Sequence, residues 1–175
     1  VVASEKWVLV RDASTLEAGD IVTIAAKNYN YVMGKQGTSY PLASVTEAIK
    51  VGDYLYHPIP NNNTSTDSRM QYYTLMQRDA KRVAFDFYNG VDYEDDTTVG
   101  FVYANGTNYS PRLQAYCDVN TLFDITITDG TAKLCASDIE KEYKYWRYYH
   151  SNYPSSRRFD CTDSGPAGNY QVCIY

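Results

Sequence analysis

The stretch EYKYWRYYHSNY, residues 142–153, decides how this chain is read. It holds five Tyr and one Trp in twelve positions, with Lys144, Arg147 and His150 among them. Two readings compete for it. Aromatic faces mixed with cations form platforms for sugar rings, single-stranded nucleic acid or another protein. Tyr and Trp are also strand formers, so the same residues suit a structural β-strand. Alternation in a strand places Tyr143, Tyr145, Arg147 and Tyr149 on one face. Lys144, Trp146, Tyr148 and His150 then share the other.

The rest of the chain favours the strand. WVLV (7–10), DIVTIAA (20–26), NYNYVMG (28–34), QYYTLMQ (71–77), RVAFDFY (82–88) and GFVYA (100–104) are short, rich in β-branched and aromatic residues, and bounded by Gly, Asn, Asp or Pro. RLQAYC (112–117), LFDITIT (122–128), TAKLCA (131–136), YKYWRYYH (143–150), RRFDCT (157–162) and YQVCIY (170–175) continue the pattern. Asp129-Gly130 and Asn89-Gly90 are hairpin turns, because these pairs take positive φ cheaply. Helical character is confined to Ser14–Glu17 and Ser137–Tyr143. The fold class is all-β.

A loose triplication runs through these strands. Tyr31-Val32-Met33, Phe101-Val102-Tyr103 and Tyr145-Trp146-Arg147 open three units, each followed after a polar loop by PLASV, RLQAYC or RRFDC. The units span about 28–98, 99–142 and 143–175, with the strands in 7–26 completing the third. One domain, residues 1–175, then forms a β-trefoil-like closed barrel, in which closure removes sheet edges. A two-sheet β-sandwich uses the same strands and is the alternative. The first unit is longest, and its excess, Val51–Met70, reads as an exposed loop. Aligning Trp146 with Val32 and Val102 turns Trp146 and Tyr148 inward and leaves Tyr145, Arg147 and Tyr149 outside.

Composition limits the partners. The formal charge is −5, which disfavours non-specific attraction to nucleic-acid phosphates. No apolar run is long enough for a membrane-spanning helix. Nineteen tyrosines with many Asn, Ser and Thr match a secreted β-protein. The opening VVASEKW reads as a trimmed, mature start within a longer secreted polypeptide. Cys117, Cys135, Cys161 and Cys173 allow three pairings. Sequential pairing, Cys117–Cys135 and Cys161–Cys173, is the expectation for an oxidising compartment, against free buried thiols.

One resemblance adds to this. The opening W-V-L-V-R-D-A-S-T-L-E-A-G-D, the segment FDITITDGTAKL (123–134), R-F-D-C (158–161) and the closing Q-V-C-I-Y together resemble an all-β accessory domain of secreted proteins from gut Bacteroidales. The resemblance implies secretion or cell-surface display and an all-β fold. It brings no catalytic residue with it.

Catalytic signatures are missing. With His57 and His150 alone, imidazole-based metal clusters have little to work with, and no HExxH, GxSxG, P-loop or CxxC occurs. Asp92-Tyr93-Glu94-Asp95-Asp96 lacks the spacing and Gly of an EF-hand and reads as a solvated acidic turn. Asn62, Asn63, Asn105 and Asn108 begin Asn-X-Ser/Thr triplets that read as polar loops. No enzymatic activity, metal or other cofactor is expected. The sequence thus points to a non-catalytic extracellular binding module, carbohydrate-binding first. A structural or adhesive surface protein, or a domain docking a surface protein, is the alternative. Tyr145, Arg147, Tyr149, Tyr153 and Arg157 are the candidate ligand-binding residues, on the outer face of 143–150 and the loop after it.

Overall fold

The computed structural model describes residues 5–33, 45–57, 73–77, 82–87, 101–103, 112–114, 121–136 and 143–175. These are strands and turns, and among the described residues the only helical pieces are 3-10 turns. The chain is all-β, with every pairing antiparallel. No helix among the described residues is long and apolar enough to cross a membrane.

The strands are, in chain order, β1 (Glu5–Val8), β2 (Ile21–Val22), β3 (Ile24–Ala26), β4 (Tyr31–Met33), β5 (Val45–Glu47), β6 (Ile49–Val51), β7 (Tyr54–His57) and β8 (Tyr73–Gln77). They continue with β9 (Arg82–Phe87), β10 (Phe101–Tyr103), β11 (Arg112–Gln114), β12 (Phe123–Thr128), β13 (Thr131–Cys135), β14 (Tyr145–Tyr149), β15 (Arg158–Thr162) and β16 (Val172–Ile174). The predicted Asp129-Gly130 turn joins β12 to β13, with φ of 48° and 78° at its two central residues. Gly130 also faces Leu9, whose Cδ2 stands 2.9 Å from where a β-carbon would sit. The Asn89-Gly90 turn, the Asp92–Asp96 run, the four Asn triplets and the Ser137–Tyr143 helical piece up to residue 142 lie outside the described residues. The Ser14–Glu17 piece is a 3-10 turn at Ala13–Thr15, capped by the Asp12 side chain accepting from the Ser14 N–H.

One pairing scheme recurs three times. Val22 pairs with Tyr73, Val83 with Phe123, and Ala132 with Val172. Three residues further along the first member of each pair, Ala25 meets Val32, Asp86 meets Phe101 and Cys135 meets Tyr145. Each of those strands then forms a hairpin, Val32 with Thr46, Phe101 with Gln114 and Tyr145 with Thr162. The links between successive sets match too: Leu75 with Phe85, Ile125 with Leu134, Ile174 with Ile24. Val32, Phe101 and Tyr145 are therefore equivalent, so the expected alignment of Val32 with Trp146 is one residue out. Trp146 corresponds to Met33 instead. The inward placement of Trp146 and Tyr148 is nonetheless what the structure has, with both at 0% exposure.

Inward side chains from these strands form the main core. Trp146 packs edge-on against Tyr73 and Phe85 and tilted against Phe123, with ring centroids 5.6–6.5 Å apart. Val22, Ile24, Leu75, Leu134, Phe159, Val172 and Ile174 surround this cluster. A second, smaller cluster lies on the opposite side of β3 and β16, where Ala25, Val32, Cys173 and Tyr175 meet Trp7, Leu9, Ala48 and Leu55. A separate sheet in the order β1-β7-β6 supplies this cover. Two expectations are corrected here. The segment expected as a long exposed loop begins instead with paired strand: Val51 ends β6, and β7 inserts between β6 and the N-terminal strand. Its remainder, residues 58–70, lies outside the described residues.

The second correction concerns the thiols. Cys135, Cys161 and Cys173 are free, so the Cys161–Cys173 bridge does not form. Alternation explains why: Cys161 points into the main core, whereas Cys173 points into the second cluster between inward-facing Val172 and Ile174. The two sulfurs sit on opposite sides of a sheet. Cys117 lies outside the described residues. Burial pushes the pKa of all three free thiols up, which keeps them in the unreactive protonated form.

Candidate functional site

Four of the five predicted residues divide between two places, and Tyr153 belongs to neither. Cross-strand pairing fixes the first, because Tyr145 faces Thr162, Arg147 faces Asp160 and Tyr149 faces Arg158 across β14 and β15. All six side chains lie on the outer face, as predicted for the β14 members. They are not freely exposed, however: Tyr145, Arg147 and Tyr149 are half-buried. Asp160 is the reason. Its carboxylate is fully buried and accepts two bonds from Arg147, Nε to Oδ1 at 2.7 Å and a terminal guanidinium nitrogen to Oδ2 at 3.0 Å. Arg158 Nε donates to the same Oδ2 at 3.1 Å. These bonds and the carboxylate's charge raise the Arg147 pKa further.

Tyr170, from the 3-10 turn at Gly168–Tyr170, stacks on Tyr149 with centroids 6.2 Å apart. The Arg147 guanidinium lies over both rings, at 5.4 and 5.6 Å, and that of Arg158 lies 4.4 Å over Tyr149. Lys133 stands 5.3 Å over Tyr145. Tyr153 is 74% exposed and, among the described residues, joins no ring cluster.

Arg157 belongs to the second place. One guanidinium nitrogen donates to the Tyr31 hydroxyl at 2.6 Å, Nε donates to the Ser151 carbonyl, and the cation lies 5.4 Å over the Tyr31 ring. Beside it His150 stacks flat on Tyr29, centroids 3.9 Å apart and planes 8° from parallel. The Tyr148 hydroxyl meets His150 Nδ1 at 3.0 Å, while burial pushes the Tyr148 pKa up to about 12. Tyr29 and Tyr31 are thus braced from behind by residues of the β14 region. Their exposed sides line an open concavity of about 380 Å³, completed by Asn30, Glu47 and Ala48. Register places Glu47 directly opposite Tyr31, which sets a carboxylate beside two phenol rings.

None of Tyr29, Asn30, Tyr31 or Glu47 was singled out by sequence reasoning. The signal was present in NYNY (28–31), which reads as a strand with a turn before it. What was missing was the long-range contact to His150 and Arg157. No protein-family model matches the chain, and no curated protein or solved structure matches it.

Two outcomes test this geometry. Asp160→Asn removes the charge that holds two guanidiniums, leaving Arg147 and Arg158 uncompensated in a half-buried setting. Breaking a fully buried pair costs about 3–5 kcal/mol; the partly exposed guanidiniums place the loss below that range, read as a lower urea midpoint with unchanged m-value. The second concerns His150, whose pKa is lowered by burial and then by Arg157. A histidine kept neutral by folding binds fewer protons than its unfolded counterpart, so stability rises with pH through this window. The His150 contribution is complete above the ordinary histidine pKa and is lost as pH falls through the depressed one. Thermal melts of His150→Gln and the parent protein, run from pH 7.5 to 5, should therefore converge toward the acid end, and parallel curves would reject this origin.

Proposed function

We propose that the chain is a non-catalytic, extracellular binding module that holds a glycan in the concavity of Tyr29, Asn30, Tyr31, Glu47 and Ala48. The observation that carries this reading is the concavity itself. Its volume suits one or two sugar residues. Tyrosine rings offer apolar faces to sugar C–H groups, while Asn30 and Glu47 offer hydrogen-bonding groups to the hydroxyl rim. His150 and Arg157 stiffen the rings, which lowers the ordering cost of binding. The resemblance to secreted accessory domains of gut Bacteroidales supports display outside the cell.

The same proposal includes the finer fold. Residues 21–26 pair with β8 through Ile21 and Val22 and with β16 through β3. Reciprocal bonds between Thr23 and Tyr175, at 2.9 and 3.1 Å, carry the β16 pairing across the break between β2 and β3. Followed from there, the pairings run β3-β16-β13-β12-β9-β8-β2, and the hairpins β4-β5, β10-β11 and β14-β15 branch from alternate strands. We read this circuit as a six-stranded barrel with three capping hairpins, a β-trefoil. A two-sheet sandwich leaves the double pairing of 21–26 without an explanation. Nuclear Overhauser contacts in solution should join this run to both Thr74 and Cys173, and absence of either set would open the barrel.

A glycan array followed by titration calorimetry tests the function. Tyr29→Ala and Glu47→Gln should each weaken the best ligand by about tenfold or more, a loss of about 1.4 kcal/mol, with unchanged circular dichroism. A second reading, a docking or adhesive surface protein, is favoured by the outer face of the β1-β7-β6 sheet, where Val8, Ile49, Val51 and Tyr54 are exposed. Concentration-dependent assembly in light scattering, with no glycan bound on the array, would place that reading first.

A further inference from the structure

We propose that the outer face of the β14-β15 hairpin is a separate binding site for the anionic group of an acidic glycan, carboxylated or sulfated. The site stands apart from the Tyr29 concavity and goes beyond it in ligand chemistry. Its charge is the first ground. Asp160 is the single buried carboxylate between Arg147 and Arg158, so one positive charge is left over on a chain whose formal net charge is −5. Lys133, exposed over Tyr145 on the same face, adds another.

Preorganisation is the second ground. The two bonds from Arg147 and the one from Arg158 lock both guanidiniums against a fixed carboxylate. Those bonds use both Nε atoms and one terminal nitrogen of Arg147. Arg158 Nη1 reaches the Ser156 carbonyl only at 3.4 Å. A guanidinium has five N–H donors in a planar fork, so donors beyond these bonds remain on two partly exposed side chains for a carboxylate or sulfate oxygen. Ordering two long side chains in advance removes an entropy cost that a ligand would otherwise meet.

The third ground is the aromatic floor. Tyr149 and Tyr170 stack at an interplanar angle of 22°, and Tyr170 is 41% exposed. The Arg147 guanidinium stands 5.6 Å from the Tyr170 ring and that of Arg158 4.4 Å from Tyr149, so a sugar ring on Tyr170 would carry its acidic group toward this pair of cations. Neutral sugars gain only the stacking. Single-stranded nucleic acid needs a cationic track along several phosphates, and this patch is too short for one.

Calorimetry of the full chain with trigalacturonate, a sulfated trisaccharide, uncharged maltotriose and a short single-stranded oligonucleotide tests the site. One or both acidic trisaccharides should bind, more weakly as salt rises, and the arm that binds identifies the anion. Arg158→Gln and Tyr170→Ala should each weaken that binding at least tenfold, whereas Tyr29→Ala should leave it unchanged. Tyr170 lies on the surface, so its variant keeps the test valid if Arg158→Gln melts early. The proposal is overturned by no binding of either acidic trisaccharide, by equal binding of maltotriose, by insensitivity to both variants, or by oligonucleotide binding with the same sensitivity. Loss of acidic binding in Tyr29→Ala would move the anion to the concavity and likewise overturn it.

Discussion

The run from Ile21 to Ala26 carries a heavy structural demand, because it pairs along both edges and is buried on both faces. Val22 meets Tyr73 on one side, and Thr23 through Ala26 meet residues 172–175 on the other. All six side chains apart from that of Ile21 are buried, and they serve two clusters by alternation: Val22, Ile24 and Ala26 point to the main core, Ala25 to the second. A strand buried on both faces must be apolar almost throughout, and IVTIAA is. Ala25 is the small side chain on that second side, where Trp7 and Leu55 of the β1-β7-β6 sheet pack against its cluster. Thr23 is the polar exception, with its backbone engaged by Tyr175 in both directions.

Much of the architecture was legible in the sequence because the signals were local. Alternating apolar residues, an Asp-Gly turn and punctuation by Gly and Asn locate most strands within one or two residues. The inward turn of Trp146 and Tyr148 follows from period-two alternation and holds even though the supporting alignment was one residue out. That slip has a physical origin. β4 is covered on both faces, so Tyr31, Val32 and Met33 are all apolar or aromatic and give no alternation from which to read a register. The strands β6 and β7, in 49–57, were missed for a related reason. Lys50 breaks the apolar pattern of β6, yet its ammonium is turned inward to the Ala26 and Lys27 carbonyls, where burial lowers its pKa. A buried lysine satisfied by backbone carbonyls looks in sequence like a solvated loop.

The candidate sites were legible as composition and illegible as geometry. Five aromatic and basic residues were expected to share one platform, but Arg157 and Arg158, adjacent in sequence, serve opposite purposes. Arg157 reaches back to Tyr31 across the first hairpin, and Arg158 turns to Asp160. Asp160 was the residue whose importance sequence could not reveal. One Asp among 21 acidic residues carries no mark, and only the cross-strand register with Arg147 shows that it is the buried anchor for two cations.

The charged groups beside the two tyrosine clusters differ. Around Tyr29 and Tyr31 the cation is spent: Arg157 donates to the Tyr31 hydroxyl and to the Ser151 carbonyl, and the charged group that lines the concavity is the Glu47 carboxylate. Around Tyr149 and Tyr170 the balance is reversed, since one carboxylate is buried beneath two guanidiniums. Both clusters present phenol rings, with the Glu47 carboxylate lining the concavity beside one pair and two guanidiniums lying over the other. Under the proposal that both clusters hold sugars, ring faces would supply contact area to either ligand, and discrimination would fall to the groups beside the rings.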